Sequence, residues 1–194
     1  ALNDGGILSF DGTQTGAALP GRVFAAADIG TTTLALSICG ASGAVLREKT
    51  VLNPQTAFGS DVLSRLEKAI TGDGERLKSA VCDAVTQLLL SLCPDLTRLA
   101  GLTITGNTSM LYLLTGENPE PLTHAPFKAD ELFGCCVPAQ LISQRLPADL
   151  PVYLAGCASA FVGADVVCSV LAADKEYAFL SGGTNILADI GTNG

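Results

Sequence analysis

The sequence predicts a mixed α/β fold, a five-stranded sheet with helices on both faces. Three observations carry this prediction. Strand-like runs follow one another with tight turns from residue 22 to residue 52. The hydrophobic period then changes from two to about 3.6 after Asn53-Pro54. Beyond that point single strands alternate with helical stretches, the order of parallel βα units.

Residues 1–21 hold five glycines and little periodicity, and read as a linker left from an upstream segment. Residues 22–29 are a short apolar run ending in Asp28-Ile29, and residues 31–39 alternate Thr and Ser with Leu, Ala and Ile. After a turn at 41–43, residues 45–52 make a third strand, closed by Asn53-Pro54. These three runs form a β-meander. Ser60 is placed to cap a helix with Asp61 in its first turn. Val62, Leu63, Leu66, Ala69 and Ile70 share one face of that helix, and Gly72-Asp73-Gly74 ends it. Leu77, Val81, Val85, Leu88, Leu89 and Leu92 make the stripe of a second helix, stopped by Pro94.

Residues 99–105 form a fourth strand ending at Gly106-Asn107, followed by a short helix at 108–115 closed by Gly116. Residues 117–150 carry five prolines and no period, so they read as loop with one short helix at 139–145. A fifth strand occupies 152–155. A helix follows at 159–173, with Phe161, Val162, Val166, Val170 and Leu171 aligned and Gly163 allowing close approach to the sheet. Residues 185–189 begin another strand. The order βββαβαβα, with the first helix doubled, is that of the ribonuclease H-like fold. The expected division is a linker remnant at 1–21, a first lobe at 22–175, and the start of a second, truncated lobe at 176–194. Because the last residues break off inside a strand and turn, the chain reads as a fragment. Its final strand, deprived of neighbours, is expected to be mobile or to pair with its own lobe or with a second copy in a homodimer.

Composition limits the function. The chain has 194 residues, 48% of them apolar, and a formal net charge of −8. Nucleic-acid affinity rests on Lys and Arg neutralising phosphates, so an acidic surface argues against nucleic acid and against anionic membranes. No stretch approaches a membrane span or a signal peptide. Seven cysteines occur without a CxxC pair, and His124 is the single histidine. Dispersed cysteines inside apolar runs read as small buried hydrophobes and point to a reducing cytoplasm, not to a metal site.

Two turns carry the chemistry. In Asp28-Ile29-Gly30-Thr31-Thr32-Thr33, Gly30 permits a tight hairpin whose backbone N–H groups approach an anion. The Thr hydroxyls add neutral donors to phosphate oxygens. Asp28 would repel a phosphate, so its role is to hold Mg²⁺ through water. Alone, such a turn is equally a plain β-hairpin. Asp189-Ile190-Gly191-Thr192 repeats it, followed by Asn193-Gly194, and a hairpin from each side of a cleft clamps a triphosphate. Asp28 and Asp189 are the metal candidates. Gly106-Asn107 follows a strand and opens a helix, so it is either a cofactor-binding N-terminus or simple capping.

These paired turns resemble phosphate-1 and phosphate-2 of the superfamily of acetate and sugar kinases, Hsp70 and actin. A closer resemblance, in order from about residue 27 to the end, is to the ATPase domain of the reductive activators of corrinoid proteins. It rests on Asp28–Thr33, on Leu52-Asn53-Pro54-Gln55, and on Phe58-Gly59-Ser60-Asp61-Val62-Leu63-Ser64-Arg65. Thr105-Gly106-Asn107-Thr108-Ser109-Met110, His124-Ala125-Pro126-Phe127, Ser159-Ala160-Phe161-Val162-Gly163-Ala164-Asp165 and the final turn complete it. The resemblance implies an actin-like ATPase lobe binding ATP and Mg²⁺, with Asp28, Asp189 and the water-orienting candidate Ser159 as catalytic residues. It also implies electron transfer from a [2Fe–2S] domain to the Co(II) corrinoid of a methyl-transfer protein. The cluster's cysteine spacing is not in this sequence, so that domain would lie upstream. Asn53, Arg65, Asp165 and His124 receive no role from the sequence. A small-molecule kinase of the same superfamily and a non-catalytic interaction module are the alternatives, and an upstream ferredoxin-type cysteine cluster would separate them.

Overall fold

The computed structural model describes residues 2–3, 7–14, 21–177 and 180–188. Strands β1 (Leu2–Asn3), β2 (Ile7–Gln14), β3 (Val23–Ile29), β4 (Thr33–Cys39), β5 (Val45–Leu52), β6 (Leu99–Gly106), β7 (Cys135–Val137) and β8 (Val152–Leu154) form one sheet in the order β1-β2-β5-β4-β3-β6-β8-β7. β3, β4 and β5 make the antiparallel meander, β6 runs parallel to β3, and β8 runs parallel to β6. Among the described residues the expected count of five strands is corrected to eight. The added strands are β1 and β2, within the segment read as linker, and β7, within the segment read as loop. β2 pairs antiparallel with β5, and β7 with β8. β2 carries Asp11 and Gly12 in mid-strand and β7 is three residues long, so neither shows an apolar alternation.

The alternation of β3 explains where the core lies. Val23, Ala25, Ala27 and Ile29 point inward and are buried, whereas Phe24, Ala26 and Asp28 point outward and are exposed. Leu34, Leu36 and Ile38 of β4 and Leu102 and Ile104 of β6 continue the inward row. This row packs beneath helix α2 (Gly74–Leu92), which meets β4 and β5, and helix α3 (Thr108–Thr115), which meets β6. The α2 stripe is buried from Leu77 to Leu92 as its spacing predicts, and the helix ends two residues before Pro94.

Helix α1 (Val62–Lys68) is capped by Asp61 instead of Ser60: Asp61 Oδ1 accepts from the Ser64 N–H at 2.9 Å. The Ser64 N–H and hydroxyl hold the Asp61 carboxyl below its ordinary range. A carboxylate is the stronger acceptor at a helix N-terminus, which is why it displaces the neighbouring hydroxyl. Gly72, at φ +118°, leaves helical geometry and kinks the chain, so it ends the first helix as the sequence predicts. The backbone widens into a π turn over Ala69–Asp73 and resumes as α2. Gly116, at φ +83°, closes α3 as its sequence predicts.

Two further expectations are corrected. Helix α4 spans Ala164–Tyr177 and begins five residues later than Ser159, because the Ser159 hydroxyl accepts from the Phe161 and Val162 N–H groups and folds that segment into a turn. The helix at 139–145 is a single 3₁₀ turn, Ala139–Leu141. The described residues 185–188 form no strand, and residue 189 lies outside the described residues. The second face of the sheet is less covered than the first. α4 meets β6, while Phe24, Thr103 and Tyr153 remain exposed. Among the described residues no helix is long and apolar enough to cross a membrane.

Leu89→Ala, in the fully buried stripe of α2, is expected to cost about 2–5 kcal/mol in chemical denaturation. Leu63→Ala, at 57% exposure, should stay within about 0.5 kcal/mol of the parent. Burial pushes the Cys82 thiol up to about 11 and raises those of Cys39, Cys93 and Cys157, while Cys135 and Cys136 are exposed. Timed alkylation near pH 8 should therefore modify Cys135 and Cys136 first and Cys82 last, and early labelling of Cys82 would contradict this core.

Candidate functional site

Three segments converge beyond the C-terminal ends of the parallel strands β3, β6 and β8, the edge where open α/β sheets bind ligands. They are the turn between β3 and β4, the junction of β6 with α3, and the segment joining β8 to α4.

In the first segment, Gly30 is tightly enclosed: a Cβ there would stand 2.9 Å from the Thr33 carbonyl oxygen. The Gly30 carbonyl accepts from Asn53 Nδ2 at 2.7 Å, and the Thr32 carbonyl from the Asn53 N–H at 2.8 Å. Thr31 is buried, and its hydroxyl oxygen accepts from Asn107 Nδ2 at 3.3 Å. Thr32 is half-buried and Thr33 exposed, so the three hydroxyls differ in how they face solvent. Asp28 is exposed on the outward row of β3, in register with Thr105.

The second segment is fixed by backbone contact. A Cβ on Gly106 would stand 2.6 Å from the Ile29 carbonyl oxygen, so only glycine lets the ends of β3 and β6 close together. Asn107 caps α3 through Oδ1, which accepts from the Met110 N–H at 3.0 Å. Its capping and its bond to Thr31 are thus two functions of one amide.

The third segment docks on the second. The Thr108 hydroxyl donates to the Ser159 carbonyl at 2.7 Å. A Cβ on Gly163 would stand 2.5 Å from Asn107 Cα and 2.6 Å from Asp165 Oδ1. Asp165, read from sequence without a role, is therefore half-buried at the start of α4, where its carboxylate accepts from the Val166 N–H at 2.8 Å. A groove of about 480 Å³ opens beside Ser159, lined by Phe127, Lys128, Leu132 and Ala160 among others.

Arg65 lies behind α3 and is fully buried. Its Nε donates to the Gly59 carbonyl at 2.8 Å, Nη1 approaches Met110 Sδ at 3.7 Å, and Nη2 has no hydrogen-bond partner. Burial lowers its pKa and the Asp61 charge opposes this, yet a guanidinium stays protonated in proteins. His124 is exposed in a loop, its Nδ1 3.3 Å from the Thr123 hydroxyl.

Of the sequence candidates, Asp28, Gly30–Thr33, Gly106-Asn107 and Ser159 fall on these three segments at one edge of the sheet. Asp189, Gly191, Thr192, Asn193 and Gly194 lie outside the described residues. Sequence reasoning missed Asn53 as part of the site. The signal was available: the β4–β5 register pairs Thr33 with Leu52, which sets residue 53 beside Thr32. Among the described residues no cluster of three or more His, Cys, Asp or Glu is placed to hold a metal.

Comparison with known proteins agrees with this architecture. The chain is 28% identical over 182 residues to the corrinoid activation enzyme RamQ of Eubacterium limosum, covering 86% of this chain and 28% of that protein. A solved reductive activator for corrinoid, iron-sulfur protein superposes with a TM-score of 0.76 at 30% identity, over 81% of this chain and 26% of the other. The chain thus spans little more than a quarter of the length of either protein. A family model described as the RACo middle region matches residues 24–176, which hold strands β3 to β8 and the helices almost end to end, and the chain belongs to that family.

Proposed function

We propose that this chain is the phosphate-holding first lobe, ribonuclease H-like and actin-like, of an ATP-dependent reductive activator of corrinoid proteins. The observation that carries the reading is the β3–β4 turn, set at the ligand-binding edge of the sheet with its carbonyls tied inward. The cradle fits a phosphate. It is lined by backbone at Gly30 and Gly106, where a Cβ would collide with a carbonyl oxygen. Backbone N–H groups of the turn and the hydroxyls of Thr32 and Thr33 would hold phosphate oxygens. The Thr31 hydroxyl joins the turn to α3 through Asn107. Exposed Asp28 would hold Mg²⁺ through water, and that ion would supply neutralisation of phosphate charge. Asn107 presents the N-terminus of α3 toward the same edge, a favourable end for an anion. Ser159 is the candidate that orients water.

In the longer protein, a second turn at Asp189–Gly194 would close on the same phosphates, and a [2Fe–2S] domain upstream would deliver the electron to a corrinoid protein partner. RamQ is named as a corrinoid activation enzyme and the solved protein as a reductive activator for corrinoid, iron-sulfur protein, and their similarity to this chain supports a role in corrinoid activation here.

Calorimetric titration of the 194-residue chain with Mg·ATP should show weak binding or none, because on this reading half of the nucleotide contacts would come from a second lobe. Micromolar affinity for this chain alone would contradict the two-lobed reading. In the longer protein, ATP-dependent reduction of a Co(II) corrinoid is the decisive assay. Gly106→Ala, which forces the ends of β3 and β6 apart, should weaken ATP binding there by tenfold or more, roughly 1.4 kcal/mol. Unchanged ATP affinity in that variant would remove the β6–α3 junction from the site.

A further inference from the structure

Asn53 is fully buried, and every polar function it has is engaged. Nδ2 donates to the Gly30 carbonyl at 2.7 Å and approaches Met110 Sδ at 3.9 Å. Oδ1 accepts from the Gln55 N–H at 3.0 Å, and the backbone N–H donates to the Thr32 carbonyl at 2.8 Å. These partners fix the orientation of the amide. Reversing it would face Oδ1 with the Gly30 carbonyl oxygen and Nδ2 with the Gln55 N–H.

The bonds close a ring. Met110, in the first turn of α3, gives its N–H to Asn107 Oδ1, while Asn107 Nδ2 reaches the Thr31 hydroxyl. Gly30 and Thr31 are therefore each held by an asparagine, and both asparagines engage Met110. Arg65 Nη1 abuts the same sulfur at 3.7 Å, so the ring is backed by a buried guanidinium.

A planar trans peptide points its C=O and the following N–H in opposite directions. Drawing the Gly30 carbonyl toward Asn53 turns the Thr31 N–H away from it, and drawing the Thr32 carbonyl inward does the same to the Thr33 N–H. We propose that Asn53 is a positioning residue for the phosphates of ATP, acting through the Gly30 and Thr32 carbonyls to aim the turn's N–H groups at the ligand. This rests on the ATP-binding reading of the turn. Asn53 does not touch the nucleotide, and its effect falls on the phosphates and not on the nucleoside.

Two measurements test it separately. Backbone ¹⁵N relaxation of the 194-residue chain should give rigid order parameters near about 0.85 at Gly30–Thr33, falling below about 0.6 in Asn53→Ala while α2 stays rigid. A turn as rigid in the variant as in the parent overturns the proposal. In the longer protein, Asn53→Ala should weaken Mg·ATP binding by tenfold or more and leave adenosine binding unchanged. Equal losses for ATP and adenosine assign Asn53 to general stability and overturn it. Asn53→Asp is the second variant, isosteric and still able to accept from Gln55, but with an oxygen facing the Gly30 carbonyl. It should reproduce both effects, and failure of both variants to fold likewise assigns the residue to stability alone. If the unsubstituted longer protein binds no Mg·ATP, the nucleotide reading fails, and the order parameters still decide whether Asn53 holds the turn.

Discussion

The carboxamide of Asn53 is a fully buried polar group. Leaving one of its donors or acceptors unmet would cost about 1–3 kcal/mol. It meets them with the carbonyls of the β3–β4 turn and the N–H of Gln55, so the turn cannot shift without stranding the amide. Gln55 in turn donates to the Leu77 carbonyl in α2 at 3.0 Å. Two side chains, Asn53 and Gln55, thereby tie the β3–β4 turn to the helix that covers the core. The arrangement is stiff because each partner is itself held by regular structure.

Around that anchor the site is assembled by glycines that let backbone meet backbone. Gly106 brings β6 against β3, and Gly163 brings the start of α4 against the start of α3. At both places a side chain would enter space already occupied by main-chain atoms. The polar bonds then only have to orient segments that glycine has already brought into contact, as Thr108 does for the Ser159 carbonyl and Asn107 for Thr31.

Much of this was legible in the sequence where the chain follows a period. β3, β4, β5, β6 and β8 alternate or run apolar and were placed within a residue or two, and the α2 stripe repeats at helical spacing. What escaped was set by non-periodic contacts. β7 has three residues and takes its identity from pairing with β8, and β2 from pairing with β5 across two polar positions. Ser159 resembles a helix cap in sequence, but its hydroxyl closes a local turn, and α4 waits until Gly163 has passed Asn107. Asn53 lies in a stretch that resembles the family, but its role follows only from the register of the meander, which sets it beside Thr32. Asp61 outcompetes Ser60 by charge, a difference of strength that position alone does not reveal.

The contact at Gly163 has a mechanical meaning. With no room for even a methyl group between it and Asn107, there is no slack at the pivot where α4 leaves the sheet. α4 spans fourteen residues, about 21 Å at 1.5 Å per residue, and much of its far half is exposed. A force applied near Tyr177 acts on a long arm with its fulcrum against the cap of α3. A small angular displacement of that arm would bear on Asn107, whose amide holds the Met110 N–H and the Thr31 hydroxyl. The sheet edge and the far end of the helix are in this sense two ends of one lever.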